Sequence, residues 1–195
     1  MRAPVPSHAA RIRSPARQMR DGKRGVAAIE FAIISTVLLV ATLGFFETVL
    51  AVRAKMLLSS SVASMAEMLG AESGIPPLTQ TIMNDYCKGV RLTMGAYTTT
   101  SLSMAVASVT FAAGSKGPAR DWEYDGACPT TAGALGSSGA MSLTSSMTSN
   151  SGDSVIVIQA SYTYVPVINT VLPSMTFTQT VFAHPRYNRV YCINC

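Results

Sequence analysis

The run Val26 to Phe46 holds 21 residues with one charged group, Glu30, and it follows a segment crowded with basic side chains. As a helix rising 1.5 Å per residue, such a run is about 32 Å long, which matches a bilayer hydrocarbon core of about 30 Å. A chain containing it has two options. The run is either a buried core helix or a membrane span, and its flanks favour the span. Arg2, Arg11, Arg13, Arg17, Arg20, Lys23 and Arg24 against Asp21 give residues 1–25 a charge of +6. The remaining 170 residues carry eight basic and nine acidic groups, a net charge of −1. Positive charge beside a span stays in the cytoplasm, so residues 47–195 are expected on the far side of the membrane. Basicity confined to a leader also argues against nucleic-acid binding, which needs a basic surface on the fold itself.

An ionisable group inside lipid costs about 2.5–3.5 kcal/mol on insertion scales, which makes Glu30 a functional candidate. Its carboxyl must be protonated, paired with a cation or hydrogen-bonded, unless it snorkels to the membrane edge. A cut after Gly25 would turn Val26 into a free α-amine. That amine lies one helical turn from Glu30 and on the same face, and a neighbouring subunit's amine would serve equally.

Helical character continues past the span. Glu47 to Leu69 contains no proline or glycine, and Val49, Val52, Met56, Ser60 and Ala63 recur at three- and four-residue steps. Gly70 and Pro76-Pro77 supply stop signals. One helix of about 44 residues and about 66 Å results, its first half in lipid and its second an amphipathic extension over 47–70. The domain plan is then a basic leader without regular structure (1–25), a span (26–46), the extension (47–70) and a head (71–195).

In the head, residues 78–95 read as a second helix. Residues 101–111, 154–164 and 176–182 read as strands, giving a meander packed on the long helix and an α+β fold. Thr130 to Gly152 is uncharged and rich in Ser, Thr, Gly and Ala, so 130–152 reads as a flexible loop.

The cysteines are Cys87, Cys128, Cys192 and Cys195, all beyond the span, which suits an oxidising compartment. Three pairings are open to them, and Cys87–Cys128 with Cys192–Cys195 is the first reading. Closing the longer loop would contribute about 3–4 kcal/mol in the chain-entropy account, and the C-terminal pair is also able to join one chain to another. Thioredoxin chemistry would need Cys192-Ile193-Asn194-Cys195 at a helix start, and zinc would need a second close-spaced ligand pair.

Catalytic machinery is thin. His8 sits in the leader and His184 beside Pro185, with no nucleophile elbow, phosphate loop or zinc motif. Asp121, Glu123 and Asp125 alternate around Trp122 and Tyr124 but lack a calcium-loop pattern, and read as a solvated loop. No catalytic residue, metal or cofactor is expected.

Lys23-Arg24-Gly25 followed by Val26-Ala27-Ala28-Ile29-Glu30-Phe31 resembles the class III signal of prepilins and pseudopilins. It most resembles the TadE-like minor pseudopilins of tight-adherence (Tad/Flp, type IVb) pilus systems, in which Gly-x-Ala-Ala-x-Glu-Phe opens the membrane helix. The resemblance covers 22–60. It returns over 154–187, with Tyr162-Thr163-Tyr164-Val165-Pro166 and Pro185-Arg186, and is absent over 100–150. It implies cleavage by a prepilin peptidase between Gly25 and Val26, with Glu30 and Phe31 serving processing or registry in the fibre. A pseudopilin-like fold is implied as well: a single-pass inner-membrane protein with a periplasmic head, non-catalytic, taking part in pilus assembly for adhesion and surface attachment. Its implied partners are the peptidase, other pilins and pseudopilins, and the pilus assembly platform. Translation from Met19 would shorten the leader to seven residues.

Two other classes fit parts of the pattern. One is an uncleaved single-pass scaffold of a secretion machine. The other is a Sec-exported envelope enzyme. The latter needs a small-x-small cleavage site after the run, and Phe46-Glu47-Thr48-Val49 offers none while Val52-Arg53-Ala54 is poor.

Overall fold

The structure is a computed structural model that describes residues 15–72, 77–95, 97, 101–111, 118–124, 136–144, 152–169, 172–187 and 189–195. Helix α1 spans Pro15–Ala71. Its start differs from the expectation of a leader without regular structure, because residues 15–25 are helical. Proline suits a first helical position, where no N–H bond is needed, and Ala16-Arg17-Gln18-Met19-Arg20 are good helix formers.

The chain divides into two compact units, Met1–Phe45 and Phe46–Cys195. In the first, the large apolar side chains from Val26 to Phe45 are mostly exposed, and this stretch is long and apolar enough to cross a membrane. Its hydroxyls are satisfied within the helix. Ser35 and Thr36 donate to the Ala32 carbonyl, and Thr42 donates to Leu38, at 2.8–3.0 Å. No polar group on these three side chains therefore needs water, as a lipid environment demands.

In the second unit, α1 buries Ala51, Ala54, Leu58, Val62, Met65, Ala66 and Leu69, a stripe at helical spacing. This is not the face read from sequence. Val49, Val52 and Met56 are exposed, as is Ser60, and Ala63 is only partly covered. Both stripes carry the three-and-four spacing. The buried one combines small alanines with Leu58, Val62 and Leu69, and it shares one core with residues of β2 and β4.

After α1, the two-residue strand β1 (Leu78–Thr79) leads into helix α2 (Gln80–Met94). Thr79 caps α2 by accepting from the Ile82 N–H at 3.4 Å. Gly95 ends it at φ +49°, donating its N–H to the Arg91 and Leu92 carbonyls. Met83, Cys87, Val90 and Met94 form its buried face.

Strands β2 (Leu102–Phe111), β3 (Pro118–Tyr124), β4 (Ser154–Tyr164) and β5 (Met175–Ala183) make one antiparallel sheet in the order β3-β2-β4-β5. The three expected strands lie side by side in chain order, β2-β4-β5, as a meander does, and β3 is added on the outer side of β2. β2 lies at the centre because Met104 to Thr110 are buried on both faces and need a neighbour on each side. β3 also corrects the solvated loop expected around Trp122. It bears Arg120, Asp121 and Glu123 together with Pro118, features suited to an edge.

Alternation divides the sheet's side chains between two cores. Leu102, Met104, Val106, Ile156, Ile158, Ala160, Tyr162 and Tyr164 face α1 and α2. Ala107, Val109, Val155 and Val157 face the other way, onto Ala140 and Leu143 of a short helix α3 (Gly136–Thr144). The flexible loop expected over 130–152 therefore contains a helix. The opposite face of β2 and β4 is apolar at one end and needs a cover, and a small residue such as Ala140 permits a close approach. Strand β6 (Cys192–Ile193) pairs with β1 in parallel.

Removing the Leu58 side chain, 1 % exposed, should cost about 2–5 kcal/mol. Met56→Ala, at a site 66 % exposed, should stay within about 0.5 kcal/mol of wild type. Denaturant unfolding followed by Trp122 fluorescence in detergent measures both, and equal effects would contradict the assigned buried face.

Candidate assembly sites on the long helix

Gly25, Val26, Glu30 and Phe31 all lie on exposed turns of α1. Among the described residues nothing packs on Glu30 or bonds its carboxylate. Val26 and Glu30 are four residues apart and share a face. A Cβ built on Gly25 meets nothing within 4 Å, so the helix itself has no steric need for glycine there. Glycine in a helix instead costs about 1 kcal/mol relative to alanine.

A second carboxylate on α1 was not singled out by the sequence. Glu47 immediately follows the apolar run and is 1 % exposed. Its Oε1 accepts from the Ile168 N–H at 2.9 Å. Its Oε2 accepts from the Tyr164 hydroxyl at 3.1 Å and from the Val167 N–H at 3.4 Å. Three donors satisfy the carboxylate and tie the segment after β4 to α1. Tyr97 reinforces the joint, donating its hydroxyl to the Leu50 carbonyl at 3.1 Å and meeting Tyr164 edge-on at 6.3 Å between ring centres. The available signal was positional, since Glu47 stands four residues before Ala51 on the stripe that the structure buries.

Helix α1 closes in a similar way. The Arg186 N–H donates to the Gly70 carbonyl at 2.8 Å, and a Cβ on Gly70 would come within 3.2 Å of the His184 carbonyl oxygen. Nearby, the Tyr86 hydroxyl donates to Glu72.

The acidic set is divided. Asp121 is the extra residue of a bulge, because Ser108 pairs with Trp122 and Val109 with Arg120. It accepts from Thr110 and pairs with Arg189. Glu123 pairs with Arg120, while Asp125 lies outside the described residues. The Asp121–Arg189 pair holds the C-terminal segment, as does the Trp122 indole N–H, which donates to the Val190 carbonyl at 2.7 Å. The Leu78 N–H donates to the Tyr191 carbonyl at 2.8 Å.

Cys192 and Cys195 form a disulfide, with Cys192 on β6 rather than at a helix start. Cys87 is also disulfide-bonded, and Cys128 lies outside the described residues. Among the described residues no group of three His, Cys, Asp or Glu side chains is gathered to hold a metal ion.

These features define a class: an α+β head built on a long N-terminal helix whose first part is apolar enough for a membrane. The model of the TadE-like protein family matches residues 25–66, from Gly25 through the apolar stretch into the buried stripe. No curated protein and no solved structure matches the chain.

Burial pushes the Tyr164 phenol up to about 12, aided by its hydrogen bond to Glu47 and by that carboxylate's charge. Burial likewise raises Tyr86 to about 12, with help from Glu72. Both phenols stay neutral in the folded chain at pH values where the unfolded chain ionises. Their contribution is therefore full below pH 10 and is lost as pH climbs from 10 through about 12. Denaturant midpoints recorded from pH 9 upward should fall across this window, and Tyr164→Phe and Tyr86→Phe should each flatten the fall. Glu47→Ala, which leaves three donors unpaired, should destabilise by about 3 kcal/mol. Glu47→Gln, which keeps an acceptor, should cost less.

Proposed function

We propose that this chain is a minor pseudopilin that takes part in assembling a tight-adherence type IVb pilus used in surface attachment, with no catalysis of its own. The observation that carries the reading is the family match over 25–66, which opens on Gly25. Among the described residues nothing packs closely enough on position 25 to call for glycine. Its requirement is external, in the active site of a prepilin peptidase that cuts before Val26.

Cleavage would free an amine four residues from Glu30, on one helical face, for pairing within the chain or with a neighbouring subunit. Residues 26–46 would anchor the protein in the inner membrane. The leader would lie in the cytoplasm and the head in the periplasm, an oxidising compartment consistent with Cys192–Cys195. Val49, Val52 and Met56, left uncovered by the head, continue an apolar surface for the helices of other pilins and pseudopilins. Small residues Ala27, Ala28, Ala32 and Gly44 permit close approach within the membrane. The remaining partner is the pilus assembly platform.

One observation favours the uncleaved single-pass scaffold instead. Helix α1 is continuous through the Gly25–Val26 bond, which a peptidase would have to unwind. Gly22 and Gly25 ease that step, at about 1 kcal/mol of helix propensity each. Mass spectrometry of the mature amino terminus decides between the readings. Val26 is expected. Met1 or Met19 would support the scaffold, and a residue beyond Phe46 an exported enzyme. Glu30→Ala should leave precursor uncut or abolish pili, while normal cleavage with normal pili would remove Glu30 from both roles.

A further inference from the structure

We propose that the end of the head around Glu47 is a membrane-docking surface that seats on the phospholipid headgroups of the bilayer anchoring the chain. The proposal rests on the reading of residues 26–46 as a membrane span. Glu47 is the first residue beyond that run, and its carboxylate holds the N–H groups of Val167 and Ile168. The segment after β4 is thereby fixed at the level of α1 where the span ends. Headgroup layers occupy about 5–8 Å on each side of the hydrocarbon core, so a segment fixed at this level lies within them.

The side chains presented there suit that layer. Val165 is 62 % exposed and Val167 82 %, on either side of the buried Pro166. Two apolar side chains held open to water at the membrane edge gain by entering it. Beside them, Arg53, Tyr97, Tyr162, Tyr164, Val165 and Val167 line a pocket of about 330 Å³. Tyr162 and Tyr164 are buried, and Tyr97, partly exposed, is the tyrosine of this pocket placed to meet the membrane–water interface that tyrosine favours.

Arg53 is six residues beyond Glu47, a rise of about 9 Å along the helix, and a long side chain can bend back toward headgroups. Among the described residues its guanidinium has no ion-pair partner. The ion pairs there are Lys88–Asp85, Arg120–Glu123 and Arg189–Asp121. A guanidinium fork matches the two free oxygens of a phosphodiester, the group every glycerophospholipid presents at this depth. The surface thus pairs an apolar wedge with a phosphate ligand, and its occupant is the bilayer itself.

The test uses the full chain reconstituted into phosphatidylethanolamine and phosphatidylglycerol vesicles containing acyl-brominated lipid, which quenches nearby tryptophan. Wild type carries one tryptophan, Trp122, and sets the baseline. Three single additions report position: Val37→Trp in the span, Val167→Trp on the proposed surface, and Tyr187→Trp. Tyr187 is 71 % exposed and follows the Arg186 contact with Gly70, about 35 Å along α1 from Glu47. Quenching above baseline is expected at 37 and 167 and not at 187. Quenching at 37 without quenching at 167 would overturn the docking surface and leave the anchor standing. No quenching at 37 would overturn the anchor and the proposal together. Equal quenching at 167 and 187 would overturn the assignment to this end of the head. Arg53→Gln in the Val167→Trp background should lower quenching roughly twofold, and an unchanged signal would remove Arg53 from the surface.

Discussion

The Glu47 carboxylate marks the point at which α1 changes the solvent it serves. Before it, from Val26 to Phe46, a helix apolar around most of its circumference suits lipid. After it, the helix is one-sided, with Ala51, Ala54, Leu58, Val62 and Leu69 turned to the sheet. A buried carboxylate with no cation beside it is costly unless several donors surround it. Here Tyr164 and the backbone of Val167 and Ile168 provide them. Those donors come from the end of β4 and the residues after it, so satisfying one charge fixes where the sheet's longest strand meets the helix.

From that joint the register of the sheet follows. Tyr164 pairs with Met175, Tyr162 with Phe177 and Ile158 with Val181, which puts Met175, Phe177, Val181 and Ala183 on the α1 side and the threonines with Phe182 on the other. β2, apolar on both faces, takes the centre. The charged β3 takes the edge, where its bulge aims Asp121 at Arg189 and its indole holds Val190. The edge is thereby blunted, and the same contacts bind the C-terminal segment to the head.

The sequence made the long helix, α2, the strands β2, β4 and β5 and the α+β class legible, because each rests on local periodicity or on stop residues such as Gly70 and Pro76-Pro77. What it hid depends on partners distant in sequence. The choice between the Val49-Val52-Met56 stripe and the Ala51-Ala54-Leu58 stripe cannot be made from spacing that both share. It is made by which side chains the core residues of β2 and β4 cover. α3 escaped notice because a Ser/Gly-rich segment has little helical propensity, and its stability comes from Ala140 and Leu143 covering β2 and β4. β3 looked like a loop because edge strands tolerate charge. Glu47 looked like a boundary marker because an acidic residue after an apolar run needs no further explanation until its partners, 117 to 121 residues away, are in view.

Two apolar stripes divide this part of the helix into a face used in folding and a face left open. The head consumes the face containing Leu58 and Val62, so the stability of the second unit draws on contacts within the chain. The face containing Val52 and Met56 contributes little to that stability and is free to be set by whatever covers it. Side chains on opposite faces of α1 share no partner, and substitutions on them should act nearly additively. The apolar residues of 47–63 that contribute least to folding thus lie on the face where an assembly role would act, and they make up the stripe that sequence spacing drew attention to first.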